Sequence, residues 1–189
     1  EIASCLVGSE MCIRDRNYLK QFLYFQKNIP AVDVQISVGS HEELYHAMEN
    51  GVIDLSLNDR RRAFSDAYNN MVLAESTLYI EISTKNPLSK LPGLEIIDLK
   101  KTPCILVMNQ TSQKEEQEYY ETIIGLHGEF LFADTIQEAR LKIVTGQGYM
   151  PVDVIGEQSW FDTTVSRLPL TRNGKSVKKW NIKCVNCCL

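Results

Sequence analysis

The sequence is poor in the residues and runs that mark unusual protein classes. Among its 189 residues there are only 10 glycines and 6 prolines, too few for a collagen-like or disordered chain. No apolar run approaches the roughly 18 residues that a membrane-spanning helix needs. The 20 basic residues are outnumbered by 24 acidic ones, and this balance argues against a stand-alone nucleic-acid-binding protein. We therefore expect a soluble, cytoplasmic globular protein that has no membrane partner.

Cysteines are scarce in the body of the chain. Five of the six lie near its ends, and the full set is Cys5, Cys12, Cys104, Cys184, Cys187 and Cys188. A disulfide framework would tie a chain along its whole length, so this distribution favours free thiols in a reducing compartment. The CxxC spacing that ends at Cys187 has no second ligand pair elsewhere. The sequence therefore predicts neither a metal site nor a cofactor.

Residues 1–16, "EIASCLVGSEMCIRDR", lack the basic start and the apolar length of a signal peptide. The stretch resembles a spurious peptide, translated from adapter sequence, that is found joined to unrelated proteins. We expect it to be a non-native leader.

The common enzyme motifs are absent as well. There is no GxSxG, GxxxxGK[ST] or HExxH, so no catalytic residue is predicted and the chain is not expected to be an enzyme. His46 lies inside a predicted helix, where a surface or interface role is favoured over catalysis. The arginines of "DRRRAF" at residues 59–64 are compatible with a phosphate contact. A solvated turn or subunit contact is the favoured interpretation, because three successive arginines cannot share one face.

What the sequence does contain is a regular alternation of helix and strand. Residues 17–30 have helical spacing, and residues 31–38 alternate apolar and polar side chains, as in a strand. A helix from Ser40 to Gly51 follows, with Ser40 and Glu43 forming a capping box, and then a buried strand begins at Val52. Parallel strands need such crossover helices, so this order predicts an α/β fold.

The second half continues the alternation. Residues 69–84 read as two short strands with a break near Glu75 and Ser76. The apolar run "CILVMN" predicts a central strand and is followed by a helix that starts at Thr111 or Ser112. The strand "EFLFA" is followed by a helix that starts at Asp134 or Thr135, and "YMPV" and "TTVSRLPL" predict further strands.

Three polar segments, each adjoining a predicted strand end and a helix, form the candidate site. In an open parallel sheet, the carboxyl ends of the strands border the ligand crevice, and helix N-termini offer N–H groups to an anion. Helix capping alone would also explain several of these residues. The predicted ligand-binding residues are Ser40, His41, Asn109, Gln110, Thr111, Ser112, Thr145, Gly146 and Gln147.

The order of segments resembles the effector-binding domain of LysR-type transcriptional regulators. The stretch from "FQKNIPAVDVQISVGS" to "VIDLSLND" follows that family's pattern, with Gly51, Asp54 and Leu55 at the G-x-x-D-L strand start. "STKNPLSK" is similar to the family's x-H-P-L-A segment, with Asn86 in place of His. "EARLKIVTGQGYMPVDV" resembles its G-x-G-h-x-x-h-P segment. The similarity covers residues 17–178.

The resemblance implies a type II periplasmic-binding-protein-like fold, with two subdomains built on mixed, largely parallel sheets. Subdomain I would comprise residues 17–74 and subdomain II residues 75–160, and residues 161–189 would return to subdomain I with an uncertain end. A small, anionic effector would bind between the subdomains. The domain would form a homodimer or tetramer and reach DNA only through a separate N-terminal winged helix-turn-helix. Because residues 1–16 stand where the family's first strand belongs, we expect that strand to be absent.

Three other functions stay open at this point. A solute-binding protein of a transporter shares the implied fold but would need a secretion signal. An enzyme of the same fold would need a nucleophile or base that the sequence does not show. A dimerisation scaffold without a working pocket would follow from loss of the first strand.

Overall fold

A computed structural model describes residues 2–7, 33–38, 41–59, 67–108, 110, 113–155 and 162–186 of the chain. Its strands within these ranges are β1 (Ile2–Val7), β2 (Asp33–Val38), β3 (Leu55–Asp59), β4 (Tyr68–Ser83), β5 (Leu94–Glu95), β6 (Cys104–Val107), β7 (Phe130–Ala133), β8 (Tyr149–Ile155), β9 (Val165–Arg172), β10 (Lys175–Ser176) and β11 (Lys178–Asn186). Its α-helices are α1 (His41–Glu49), α2 (Gln113–Tyr119) and α3 (Ile136–Val144). Two 3-10 turns, Pro87–Lys90 and Ile96–Leu99, and a π-helical turn, Tyr120–Ile124, complete the described elements. The helix expected over residues 17–30 and the arginines of "DRRRAF" lie outside the described residues.

The chain divides into two compact units, and it crosses between them twice. Unit 1 comprises Glu1–Ser76 and Lys179–Leu189, and unit 2 comprises Thr77–Lys178. The sequence placed the crossings at residues 74/75 and 160/161. The return comes later because β9 pairs antiparallel with β4, from Tyr79 to Ser83, and parallel with β5, which keeps residues 165–172 in unit 2.

Unit 1 is built on a mixed sheet in which three strands are parallel. Strand β1 pairs in parallel with both β2 and β3, and β11 adds to β3 in antiparallel orientation. In helix α1, Leu44 and Met48 are four residues apart and therefore share one face, which packs with Ile53 in a buried cluster. Gly51, at φ +65°, lies just beyond the helix, in a conformation that glycine adopts without steric cost.

Strand β1 corrects the expectation that the first strand of the fold is absent. Residues 2–7, which were assigned to a leader, pair with all six residues of β2, from Ile2↔Asp33 to Val7↔Val38. The sequence "IASCLV" is apolar enough for a strand with parallel neighbours on both sides. The expectation that this strand is absent came from the resemblance of residues 1–16 to a translated adapter peptide, and such a resemblance says nothing about strand pairing.

The centre of unit 2 is a group of three parallel strands. Strand β6 pairs in parallel with β7 and with β8, and its four residues are all buried. Helix α3 covers these strands, and its buried residues Ala139 and Ile143 pack against Ile105, Val107 and Met150. The period of four along the helix puts its apolar residues on one face and leaves Leu141, 66% exposed, on the opposite one.

Strand β4 corrects another expectation. The sequence predicted a break near Glu75 and Ser76, but Tyr68–Ser83 is one strand of 16 residues. Ser76 is fully buried, and its hydroxyl lies 3.5 Å from the carbonyl oxygen of Lys179 in β11. The polar Ser76 suggested a break between strands, but its side chain is buried and the strand continues through it. Ser76 is the residue at which the chain leaves unit 1.

None of the helices in the described part of the chain is both long enough and apolar enough to span a membrane.

Candidate functional site

The nine predicted ligand-binding residues are only partly covered by the structure. His41, Gln110, Thr145, Gly146 and Gln147 are described. Ser40, Asn109, Thr111 and Ser112 lie outside the described residues. The positions of the neighbouring strands and helices nevertheless show which edge of a sheet each segment adjoins.

The first segment adjoins the carboxyl edge of the sheet in unit 1. Strand β2 ends at Val38, and helix α1 begins at His41. Since β1, β2 and β3 are parallel, their carboxyl ends meet at the same edge. The first N–H groups of a helix have no partner within it, so the start of α1 presents donors near this edge.

The second segment adjoins the carboxyl edge of the sheet in unit 2. The pairing of β6 and β7 continues to the amide of Met108, which donates to the carbonyl of Ala133 at 3.0 Å. Gln110 is exposed in the following turn, and helix α2 begins at Gln113. This segment therefore repeats the arrangement of strand end, polar residues and helix start seen in unit 1.

Helix α3 also begins just after the carboxyl end of a parallel strand, β7, but side chains of the protein already contact its start. The Thr135 hydroxyl accepts from the amide of Glu138 at 3.2 Å, and Glu138 Oε2 accepts from the amide of Asp134 at 2.9 Å. Lys142 Nζ lies 2.8 Å from Glu138 Oε1. The Lys142 contact, then the Asp134 amide, lower the pKa of Glu138. A carboxylate of the protein thus fills the position in which an anionic ligand would bind at α3.

Thr145, Gly146 and Gln147 cap the carboxyl end of helix α3. The Thr145 hydroxyl donates to the carbonyl oxygens of Leu141 and Lys142, at 2.9 and 3.0 Å. The Gly146 amide donates to Ile143 and the Gln147 amide to Lys142, both at 2.9 Å. These donors are used within the helix end, where the dipole disfavours an anion.

The structure also places this turn at the opposite edge of the sheet from Gln110. Tyr149, the first residue of β8, is paired with Cys104, the first residue of β6, and the Tyr149 amide donates to Pro103 at 3.0 Å. The turn therefore adjoins the amino ends of the strands. The sequence predicted that this turn lies with residues 109–112, whereas a loop that follows the helix of a β-α-β unit returns to the amino edge.

Unit 2 also holds a buried ion cluster that the sequence analysis missed. Glu81 in β4 is fully buried, and Arg140 of α3 reaches its carboxylate with two hydrogen bonds of 3.0 Å, from Nε and Nη2. Arg167, the register partner of Glu81 in β9, adds a contact of 2.6 Å. The hydrogen bonds that Arg140 donates to the Glu81 carboxylate raise the pKa of Arg140. The one available signal was a carboxylate in the otherwise apolar stretch "TLYIEIS".

The buried thiol of unit 2 is unsuited to reaction with solvent. Cys104 is 2% exposed and lies beside Tyr149. Burial raises the pKa of Cys104 to about 12, although the Tyr149 hydroxyl acts in the opposite direction. Within the part of the chain that the structure describes, no group of three or more His, Cys, Asp or Glu side chains could hold a metal ion.

Comparison with known proteins identifies the fold. No protein-family model and no curated protein match the sequence. Among solved structures, a mutant of the OxyR regulatory domain from Pseudomonas aeruginosa matches with a TM-score of 0.75 at 8% identity, over 100% of this chain and 89% of that one. The effector-binding domain of a BenM variant matches with 0.79 at 16% identity, over 100% and 87%. HinK, a LysR family transcriptional regulator from Pseudomonas aeruginosa, matches with 0.74 at 16% identity, over 100% and 65%.

The chain therefore has the fold of the effector-binding domains of LysR-type regulators. This confirms the predicted α/β, type II periplasmic-binding-protein-like fold, with its mixed and largely parallel strands. The likeness extends over the whole chain and includes the segment expected to be a leader.

Proposed function

We propose that this chain is the effector-sensing and dimerisation domain of a LysR-type transcriptional regulator that acts in the cytoplasm. The observation that carries the proposal is the full-length likeness in fold to solved regulatory and effector-binding domains. The chain itself has a net charge of −4, so DNA contact falls to a separate winged helix-turn-helix module. No catalytic step is part of this function.

The proposed ligand is a small anionic metabolite that binds between the two subdomains. Ser40 and Thr111 would supply hydroxyl donors, and the first amides of helices α1 and α2 would supply N–H donors. Support comes from the repeated arrangement in which each helix starts just after the carboxyl end of a parallel strand. His41, Asn109, Gln110 and Ser112 complete the proposed set, and the turn at Thr145 is left out because its donors are already used.

Binding would favour one arrangement of the subdomains within a homodimer or tetramer. A ligand shifts such an equilibrium only by its difference in affinity for the two arrangements. Coupling energies of this kind are typically about 1–3 kcal/mol, enough to change the occupancy of a DNA site by roughly 5- to 150-fold.

A thermal-shift screen of the intact chain against small carboxylates and phosphates tests the proposal. A ligand at about 100 times its Kd should stabilise the fold by about 2.7 kcal/mol. Each hit is then added to cells that carry the complete gene and a transcriptional reporter. A change in transcription supports the regulator. Uptake of the hit without such a change would support a transporter solute-binding protein, and turnover of the hit would indicate an enzyme.

A further inference from the structure

The hairpin formed by β9 and β10 lies immediately before the point where the chain returns to unit 1. Its tip is Asn173–Gly174, with both residues at positive φ, 52° and 73°. The next residue after β10, Val177, donates its amide to Leu170 at 2.9 Å and accepts from the Leu78 amide at 2.8 Å. The hairpin is thus joined directly to the last residues of unit 2 and, through Leu78, to the strand by which the chain enters it.

The side chain of Glu95, in the strand β5 that pairs with β9, contacts the tip of this hairpin. The Glu95 carboxylate accepts from the Gly174 amide at 2.8 Å, the Thr171 hydroxyl at 2.9 Å and the Asn173 amide at 3.0 Å. Three donors to one carboxylate hold the tip in a single geometry, because charge-assisted hydrogen bonds are stronger than neutral ones.

Arg172 links the same hairpin to the end of a helix. Its Nη2 donates to the carbonyl oxygen of Ile123 at 3.0 Å and also to that of Ile124. The last carbonyl groups of a helix have no partner within it, and a cation there also complements the helix dipole. The Arg172 guanidinium therefore supplies hydrogen bonds to two of the carbonyl groups at this helix end.

The helix end that Arg172 contacts is a π-helical turn. Helix α2 passes at Tyr120 into the π-helical segment, which ends at Gly125 with φ +78°, and the amides of Gly125 and Leu126 both return to Tyr120. A π turn holds one more residue than an α turn, so conversion between the two shifts the carbonyl groups at its end. Such turns are frequently found at functional sites.

We propose that Arg172 couples the π-helical turn to the return crossing, so that a shift of this helix end moves Val177 and the paired Leu78. The link to ligand sensing rests on the proposed function, in which helix α2 begins beside the bound effector. The coupling itself requires no ligand, because all of its contacts lie within unit 2.

Hydrogen exchange of the intact chain tests this coupling. In Arg172→Ala, the amides of Val177 and Leu78 should exchange about tenfold faster, the order expected for lost hydrogen bonds to a charged group. Arg172→Lys should give a smaller increase, since an ammonium can still reach one carbonyl. Lys175→Ala, at the register partner of Arg172 in the hairpin, is the matched control and should change the two rates less than about twofold.

A double-mutant cycle with Gly125 separates coupling from simple loss of structure. In Gly125→Ala the backbone would be strained at φ +78°, so this variant perturbs the helix end. The added Cβ would lie at an ordinary contact distance of 3.4 Å from Arg172 Nη2 and leaves the guanidinium in place. It should accelerate exchange at Val177 in the parent chain and add nothing in the Arg172→Ala background.

Either of two results would overturn the coupling. One is additive effects of the two substitutions. The other is an Arg172→Ala effect that equals that of Lys175→Ala or that spreads uniformly to strand β6. Neither result bears on whether an effector binds, and a failed ligand screen leaves the exchange result intact.

Discussion

Arg140 and Glu81 form a two-point ion pair in the interior of unit 2, with both N–O distances at 3.0 Å. Glu81 has no exposed surface, whereas 41% of the Arg140 side chain is exposed. The buried Glu81 carboxylate therefore links helix α3 to β4, the strand by which the chain enters unit 2.

Replacing Glu81 should be costly for this reason. Glu81→Gln removes the buried carboxylate charge that both Arg140 and Arg167 contact, and we expect a loss of about 3 kcal/mol in the free energy of unfolding. Glu49→Gln is the control, because its pair with His46 is exposed and should contribute less than about 0.5 kcal/mol. Urea unfolding measures both. Equal effects of the two substitutions would show that the buried pair has no special role.

Glu95 predicts a pH dependence of stability. Hydrogen bonds from the Gly174 amide first, and then from Thr171, hold the pKa of Glu95 below its ordinary value of 4.5. A carboxylate with a lowered pKa contributes stability above its unfolded-state pKa, and that stability is lost as pH falls through the folded-state value. Glu95→Gln should therefore be less stable than the parent at pH 7, and the difference should shrink in acid below 4.5. Urea midpoints across this range provide the measurement, and a difference that does not change with pH would contradict the assignment.

Cys104 should resist alkylation in the folded protein. The thiolate is the reactive species, and with a pKa of about 12 the thiol stays protonated at pH 8. Iodoacetamide labelling followed by mass spectrometry of the Cys104 peptide should show modification only after urea is added. Rapid modification of this peptide without urea would contradict the buried position.

Two glycines of one turn should respond differently to alanine. A Cβ at Gly148 would lie 2.3 Å from the Pro103 carbonyl oxygen, so Gly148→Ala must displace the backbone where β8 meets β6. We expect a loss of about 2 kcal/mol. Gly146 has open space around its Cβ position but φ +83°, so Gly146→Ala should cost about 1 kcal/mol. Thermal unfolding measures the loss of stability in each variant. A larger loss in Gly146→Ala than in Gly148→Ala would show that backbone strain outweighs the close contact.

Much of the fold could be predicted from local pattern. The alternation around Val34 and Ile36 predicted β2, because side chains of period two are typical of a strand. The apolar run from Cys104 predicted β6, because burial on both faces leaves a continuous apolar sequence. Thr135 was predicted as one of two possible starts of a helix and is the N-cap of α3. β1 and the continuity of β4 were not predicted, since both depend on partners distant in the sequence.

The candidate site was harder to predict for a geometric reason. Polar residues next to helices mark strand ends, but they do not say which edge of the sheet each end belongs to. Thr145 follows a helix and Gln110 precedes one, and this difference in order alone could have separated them. The pairing of Glu81 with Arg140 spans 59 residues and has no local signature beyond a charge between the two isoleucines of "LYIEI".

Isothermal titration calorimetry with the most stabilising anion of the screen tests the central claim most directly. The account predicts one site per chain and an affinity roughly tenfold weaker in Ser40→Ala and Thr111→Ala, because each removes a donor to a charged ligand. Thr145→Val, at the opposite sheet edge of unit 2, should leave the affinity unchanged. Unchanged affinity in both Ser40→Ala and Thr111→Ala, or no anion in the panel that binds, would contradict the account.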